Sequence, residues 1–328
     1  MRDALAATVF YGTNVLLAPI TLAGYAIWVT KSVARGNAAG VSSTAQGPLS
    51  ARYFEHNLGT RPDEPANRLM MALPGVPRLG VRLISGPMLL AHRLTGYVPK
   101  AFRYPFEGPV SPQYETSARV AFFDDAVERY VHRGEVDQFV VLGAGFDTRA
   151  FRLPNDTRVR SFEVDTPKTQ AVKREALAKV DIDASAVTFV AADFERDDWL
   201  ARLEASGFDR TKPALFLWEG VTMYLDRRAI EETLRKIATT AKGSALAFDY
   251  FTTESLESKA LYWRYARATT TAVKEKLKFG VDSTPPTRDR LAELLTSCGL
   301  SLTTHRTLGE ETTTERAWGG FAIATVDR

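Results

Sequence analysis

The chain has 328 residues, of which 45% are hydrophobic and 25% charged, as is ordinary for a globular protein with one large α/β domain or two smaller ones. Its net charge of +3 argues against nucleic acid as a partner. The single cysteine, Cys298, excludes an intramolecular disulfide and fits a reducing compartment. The four histidines are far apart in sequence, so we expect no metal site.

The N-terminal segment, residues 1–35, is predicted to be an apolar helix. Residues 4–30 carry no charge, and a membrane-spanning helix needs only about 20 apolar residues. The alternatives are a membrane anchor, a helix lying in the membrane interface, and a helix packed on the soluble domain or on a second subunit. Lys31 and Arg35 follow the uncharged run, which by the positive-inside rule leaves the rest of the chain in the cytoplasm. We therefore expect a cytoplasmic protein, with attachment to the cytoplasmic face of a membrane as an open alternative.

Residues 36–116 are predicted to form a linker, at 36–50, and an irregular helical cap. The linker is small and polar, and prolines recur in the cap from Pro74 to Pro112. Residues 78–103 contain five basic and no acidic side chains. This basic stretch could face an anionic substrate, a membrane surface or only solvent.

Residues 117–328 are predicted to form the main domain. A helix at 117–133 leads into apolar strands that alternate with helices, a pattern typical of a parallel, doubly wound sheet. The predicted strands are 137–142, 158–164, 186–192, 213–219 and 244–251; the predicted helices are 167–180, 196–206, 226–242 and 287–298. Two further strands, 300–308 and 318–326, predict a hairpin that places an antiparallel last strand at the edge of a seven-stranded sheet. Residues 252–286 are extra and are predicted to form a helical lid.

The first strand of this domain ends in a glycine turn at residues 143–145, Gly-Ala-Gly. Such a turn lets a ligand approach the backbone, although a plain tight turn is the alternative. Thr148 stands where a dinucleotide fingerprint would need its third glycine.

The next three strands each deliver an acidic residue to the same edge of the sheet. Asp165 follows Gly145 by 20 residues, and a carboxylate there can accept hydrogen bonds from both ribose hydroxyls, as it does in NAD enzymes. Asp193 is placed to accept from an adenine amino group with Phe194 against the ring, or else to cap a helix at 194–206. Glu219 could hold an ammonium group, line an acceptor site or cap the structure.

These motifs resemble the leucine carboxyl methyltransferase family of S-adenosylmethionine (SAM) methyltransferases. Residues 143–149, Gly-Ala-Gly-Phe-Asp-Thr-Arg, are similar to motif I of that family, and the similarity extends from Ser117 to the C-terminus. The other matching motifs are Arg119 shortly before Phe-Asp-Asp at 123–125, Asp-Thr-Pro at 165–167 with Lys173, and Glu219–Leu225. The resemblance implies the Rossmann-like fold of these enzymes, SAM as the cofactor, and an ion pair between Arg119 and the SAM carboxylate. A surface arginine on an amphipathic helix is the alternative for Arg119.

The expected function is SAM-dependent O-methylation of a carboxylate on a small-molecule or lipid-like acceptor. A carboxylate is already ionised at pH 7 and needs no general base, and the sequence offers no obvious His/Asp pair. The rival functions are a non-catalytic SAM-binding partner protein and an NAD-dependent oxidoreductase, against which Thr148 argues. The sequence leaves the oligomeric state open. The residues expected to bind the cofactor are Arg119, Gly143, Ala144, Gly145, Asp165, Asp193, Phe194 and Glu219, and those expected to position the acceptor are Glu219 and Tyr224.

Overall fold

A computed structural model describes residues 2–39, 46–154, 157–272 and 275–327 and centres on one seven-stranded sheet. The strands are β1 (Gln138–Leu142), β2 (Arg160–Asp165), β3 (Val187–Ala191), β4 (Ala214–Trp218), β5 (Ala245–Phe251), β6 (Ser301–Leu308) and β7 (Gly319–Thr325). Their order across the sheet is β3-β2-β1-β4-β5-β7-β6. The doubly wound α/β class predicted from the sequence is confirmed, and each strand lies within two residues of its predicted bounds.

The C-terminal hairpin is confirmed, but the position predicted for its last strand is wrong. Strands β1 to β5 are parallel, and β7 is antiparallel to both β5 and β6. Strand β7 therefore lies inside the sheet, and β6 forms the edge. The burial of the two strands gives the reason, because β7 is almost wholly buried whereas β6 is polar and partly exposed.

Helices cover both faces of the sheet and build a cap above one side of it. They are α1 (Arg2–Leu16), α2 (Ala18–Ala39), α3 (Gln46–Asn57), α4 (Glu64–Ala72), α5 (Arg78–Thr95), α6 (Glu115–Val127), α7 (Pro167–Lys179), α8 (Trp199–Ala205), α9 (Arg227–Ala238), α10 (Thr253–Glu257), α11 (Leu261–Ala272) and α12 (Thr287–Ser297). Residues 36–39 of the predicted linker end α2 and 46–50 begin α3, while 40–45 lie outside the described residues.

Alternate residues of the central strands enter two separate cores. Val140 and Leu142 of β1 pack in a core that includes α8, α9 and α12. Phe139 and Val141 pack in the opposite core with α6 and with Trp263 of α11. A third core joins α3, α4 and α5 to α7, so that the cap is anchored on the sheet domain. Because the sheet is covered on both faces, its ligand-accessible region is the edge where the parallel strands end.

Where one N-terminal helix was expected, the structure has two, α1 and α2, which meet at Leu17. Pro19 lies in the first turn of α2, where its missing N–H is tolerated but where it cannot continue the preceding helix. Both helices pack on α5. Within the described residues no single helix is long and apolar enough to cross a bilayer. The stretches 3–16 and 18–31 reach that length and apolar character only together, as a pair bent by 58°.

Candidate functional site

A cavity of about 390 Å³ lies at the carboxyl ends of the parallel strands. Strands β1 to β4 each contribute the residue at or just beyond their last position, and the short helical turn 222–224 closes one side. Seven of the eight predicted cofactor residues line it, together with Tyr224: Arg119, Gly143, Gly145, Asp165, Asp193, Phe194 and Glu219. Ala144 is the exception, because it is buried and lines a smaller recess beside Arg52 and Asp147.

The glycine turn after β1 requires glycine at Gly143. Its φ angle is +65°, in the left-handed region, and a Cβ atom there would lie 2.5 Å from Cγ2 of Val221. Gly145 also has a positive φ, and its N–H donates to Asp165 Oδ2 at 2.6 Å. The turn is therefore fixed to the tip of the neighbouring strand.

Asp165 is a partly buried carboxylate held by backbone donors. It accepts hydrogen bonds from the N–H groups of Gly145 and Thr166, both at 2.6 Å. Burial raises the pKa of Asp165 above its ordinary value, against the lowering effect of these two hydrogen bonds. A carboxylate fixed in this way, in the cavity wall, is suited to accept from neutral hydroxyl groups.

Asp193 and Phe194 lie beyond the end of β3. Asp193 is only partly buried, and its Oδ1 accepts from the N–H of Glu195 at 3.0 Å. The alternative of a helix cap at Asp193 is wrong, because helix α8 starts at Trp199 and Asp198 caps it by accepting from Ala201 N–H. Phe194 packs near Trp199 and Trp218, with ring centroids 6.1 and 6.3 Å away, and also lines the cavity.

Glu219 follows β4 and lies in a buried ion network. Its Oε2 accepts from Nη2 of Arg52 at 3.0 Å and from Nη1 of Arg149 at 2.5 Å. Both guanidinium groups also bind Asp147. The other oxygen, Glu219 Oε1, is buried and has no hydrogen-bond partner among the described residues. The carboxylate of Glu219 thus keeps one oxygen able to accept from a ligand.

The same network extends away from the cavity through Asp124. This carboxylate lies between Arg149, with Nε 2.6 Å from Oδ1, and Arg61. Burial alone would raise the pKa of Asp124, but the guanidinium groups of Arg149 and Arg61 hold it well below its usual range. Arg61 also binds Asp63, at the N-terminus of α4, with 2.6 Å between Nη1 and Oδ2. The network thus links the cap to the motif residues of the sheet domain.

Arg119 projects from α6 to the wall of the cavity. Its Nε is 3.1 Å from Oδ2 of Asp249, and it also contacts Glu115. Asp249 Oδ1 accepts from the N–H of Gly220 at 2.7 Å, and burial raises the pKa of Asp249 to about 6 despite Arg119. The alternative of a surface arginine is wrong, because Arg119 is buried.

Sequence reasoning missed Asp249 and Arg52, which pair with the predicted site residues Arg119 and Glu219. Asp249 is the only charged residue in the apolar run of β5, 245–251, and that contrast was a signal that could have found it. Arg52 belongs to the cap and reaches Glu219 across 167 positions of sequence. No local pattern in α3 distinguishes Arg52 from a surface arginine.

Comparison with known proteins gives one family and several relatives. Residues 107–238 match the model of the family described as leucine carboxyl methyltransferase. Three curated relatives are provisionally named S-adenosyl-L-methionine-dependent methyltransferases. One from Mycobacterium sp. strain KMS is 38% identical over 134 residues, which is 40% of this chain and 43% of the relative. One from Mycolicibacterium vanbaalenii is 35% identical over 159 residues, 48% and 50% of the two chains. One from Mycobacterium tuberculosis H37Rv is 34% identical over 140 residues, 42% and 45%.

These matches span half or less of the relatives' own length. Among solved structures, the chain is similar to a DUF574 family protein from Streptomyces avermitilis, with a TM-score of 0.46 and 15% identity over 84% of this chain and 96% of that one. A likeness at this level supports no conclusion about ligand or activity.

Proposed function

We propose that this chain, whose residues 107–238 belong to the leucine carboxyl methyltransferase family, is a SAM-dependent methyltransferase. The family predicted from the sequence is confirmed, although the matched segment begins before Ser117 and ends at residue 238 instead of the C-terminus. The observation that carries the proposal is the single cavity into which seven of the eight predicted cofactor residues converge. When bound, SAM supplies a methyl group already activated by its sulfonium.

The wall formed by Arg119 and Glu219 fits the amino-acid part of SAM. Glu219 Oε1 is an unpartnered, buried acceptor, and an ammonium group is the donor that would satisfy it. Arg119 provides a buried guanidinium for the carboxylate of the same ligand. A buried cation and a buried acceptor in one wall suit a zwitterion better than a simple anion.

The opposite wall fits the nucleoside. Asp165 lies at the tip of β2, where its fixed carboxylate can accept from ribose hydroxyls. Asp193 and Phe194 at the tip of β3 offer an acceptor and an aromatic face for a base. SAM carries no phosphate, so the absence of a third glycine at Thr148 is compatible with it.

The reaction supported best is O-methylation of a carboxylate on a small-molecule or lipid-like acceptor. Transfer from a sulfonium mainly requires that the acceptor be aligned and water excluded. A carboxylate is ionised at neutral pH, so it needs no general base, and no histidine lies among the described residues that form the cavity wall. Tyr224 and Phe251 line the cavity and would contact the apolar part of the acceptor.

Two measurements test the proposal, the first for the cofactor and the second for the group that is methylated. Calorimetry of the full chain with SAM, S-adenosylhomocysteine, NAD and NADP should show binding of the first two only; binding of NAD or NADP alone would favour the oxidoreductase. Methyl-labelled SAM is then incubated with the protein and a cell extract, and the products are treated with mild alkali.

Methyl esters release labelled methanol under alkali, whereas methyl ethers and N-methyl groups do not. Alkali-labile label is therefore the expected result. Alkali-stable label would refute carboxylate methylation and keep the methyltransferase. SAM binding without labelled product across extracts and a panel of carboxylic acids would favour a non-catalytic SAM-binding protein.

A further inference from the structure

The helices α1 and α2, which pack on α5, expose with it twelve large apolar side chains, here called the apolar surface. Val15 and Leu16 are 75% and 78% exposed. The apolar surface consists of Leu5, Val9, Tyr11, Val15, Leu16, Ile20, Leu22, Tyr25, Val29, Leu79, Leu90 and Leu94. A patch of this extent on a folded domain usually marks an interaction site.

The inner faces of the same helices hold them firmly on the protein body. Phe10 of α1 is buried, and its ring centroid lies 5.1 Å from that of Tyr97. Gly24 of α2 packs so closely on α5 that an added Cβ would lie 2.9 Å from the carbonyl oxygen of Gly80. Helices attached in this way lie along the body. The first of them has 15 residues before the bend, fewer than a bilayer crossing requires.

Apart from Asp3, the charged side chains of α1, α2 and α5 are all basic. Residues 65–106 contain no aspartate or glutamate, and residues 4–30 contain no charge at all. Arg82 and Arg93 are exposed and share a helical face of α5 with Leu79 and Leu90. Neither arginine forms an ion pair with any described residue.

We infer that the apolar surface binds the interface of an anionic lipid bilayer, with its apolar side chains at the acyl boundary and Arg82 and Arg93 among the lipid phosphates. The combination of an apolar face and flanking cations is that of interfacial helices. A second copy of the chain is a poorer occupant, because its own apolar surface would bring the same cations and, apart from Asp3, no acidic residue of α1, α2 or α5.

Flotation of the full chain with vesicles tests this inference. We expect binding to vesicles of mixed phosphatidylcholine and phosphatidylglycerol, weaker binding to phosphatidylcholine alone, and a loss with added salt. The double variant R82Q/R93Q should lower partitioning onto the mixed vesicles roughly thirtyfold, at about 1 kcal/mol for each arginine. The double variant V15S/L16S should lower binding to both kinds of vesicle.

Matched controls lie elsewhere on the molecule. Arg228→Gln on α9 and Leu261→Ser at the start of α11 change an exposed arginine and an 80% exposed leucine, and both should leave flotation unchanged. Unaltered unfolding midpoints and SAM binding in V15S/L16S would exclude misfolding. Absence of vesicle binding, or binding that V15S/L16S does not alter, would overturn the inference. The inference would also be overturned if the wild type did not bind vesicles but formed a dimer in sedimentation, and V15S/L16S abolished that dimer. All these outcomes are independent of whether the protein transfers methyl groups.

Discussion

The two walls of the cavity hold their charges in different ways. On the nucleoside wall, Asp165 is bound by two backbone N–H groups and forms no ion pair with any described residue. On the opposite wall, Glu219 is bound by the guanidinium groups of Arg52 and Arg149, and Arg119 is paired with Asp249. The first wall depends on local backbone geometry, and the second depends on contacts between distant parts of the chain. Changes to the second wall should therefore affect folding, and changes to the first should affect mainly the ligand.

The largest effect is expected from Arg149→Met, which removes the centre of the ion network. Asp124, Asp147 and Glu219 would all lose a buried partner, and breaking such a pair typically lowers stability by about 3–5 kcal/mol. The control is Arg152→Met, since Arg152 is 30% exposed and its closest ion pair, with Asp63, is 3.3 Å long. We expect Arg152→Met to lower the free energy of unfolding, measured with urea, by about 1 kcal/mol or less. If both variants lowered the free energy of unfolding equally, burial of the ion network would make no contribution to stability.

The next prediction concerns Glu55, a buried acid beside the same network that neither wall uses. Both of its carboxylate oxygens lack a hydrogen-bond partner among the described residues, and burial raises its pKa from 4.5 to about 8. The folded state therefore favours the protonated form. Its contribution to stability is complete below pH 4.5 and is lost as the pH rises through about 8.

The variant Glu55→Gln, which cannot ionise, tests this dependence. Its unfolding free energy relative to that of the wild type should rise by about 1.4 kcal/mol for each pH unit, or about 3 kcal/mol between pH 5.5 and 7.5. Urea unfolding at three pH values measures the difference. If the difference in unfolding free energy between the variant and the wild type did not change with pH, Glu55 would be ionised in the folded protein.

A smaller effect, on binding, is expected at the nucleoside wall. Asp165→Ala should weaken the binding of SAM by about 1.5–3 kcal/mol, the range for hydrogen bonds to charged groups. It should weaken the binding of 5′-methylthioadenosine, which lacks the amino-acid part, by the same factor. Asp193→Ala should have a smaller effect on both ligands, because the side chain of Asp193 is 36% exposed and water competes for it. An unchanged dissociation constant for Asp165→Ala, measured by calorimetry, would place the ribose elsewhere.

Arg119→Gln tests the other wall with the same two ligands. It should weaken the binding of S-adenosylhomocysteine about tenfold, which is the lower end of the range for a hydrogen bond to a charged group. The binding of 5′-methylthioadenosine should not change. The unfolding free energy is measured in parallel, because Asp249 loses its cation. Equal weakening of both ligands would indicate a general distortion instead of a lost carboxylate contact.

The same division between local and distant contacts explains how much the sequence could predict. The strands, the glycine turn, Asp165 and Asp193 follow from local patterns, and the structure brings them to one edge of the sheet. Arg52 could not be predicted, because its role exists only once the fold brings its guanidinium within reach of Glu219, the residue that follows β4. The sequence also failed on the last strand, since a hairpin pattern alone does not determine which of its two strands pairs with β5.

The smallest quantity we predict is a coupling energy at the turn itself, where the requirement for glycine at Gly143 can be divided into two parts. Gly143→Ala should destabilise the protein by about 1–2 kcal/mol through its positive φ alone, and further through the contact of the new Cβ with Val221. Val221→Ala removes only the second part. In a double-mutant cycle the two changes should therefore couple favourably by at least about 0.5 kcal/mol. If the changes in unfolding free energy of the two single variants were strictly additive, backbone strain alone would account for the need for glycine at Gly143. The side chain of Val221 would then move away from the new Cβ at no cost.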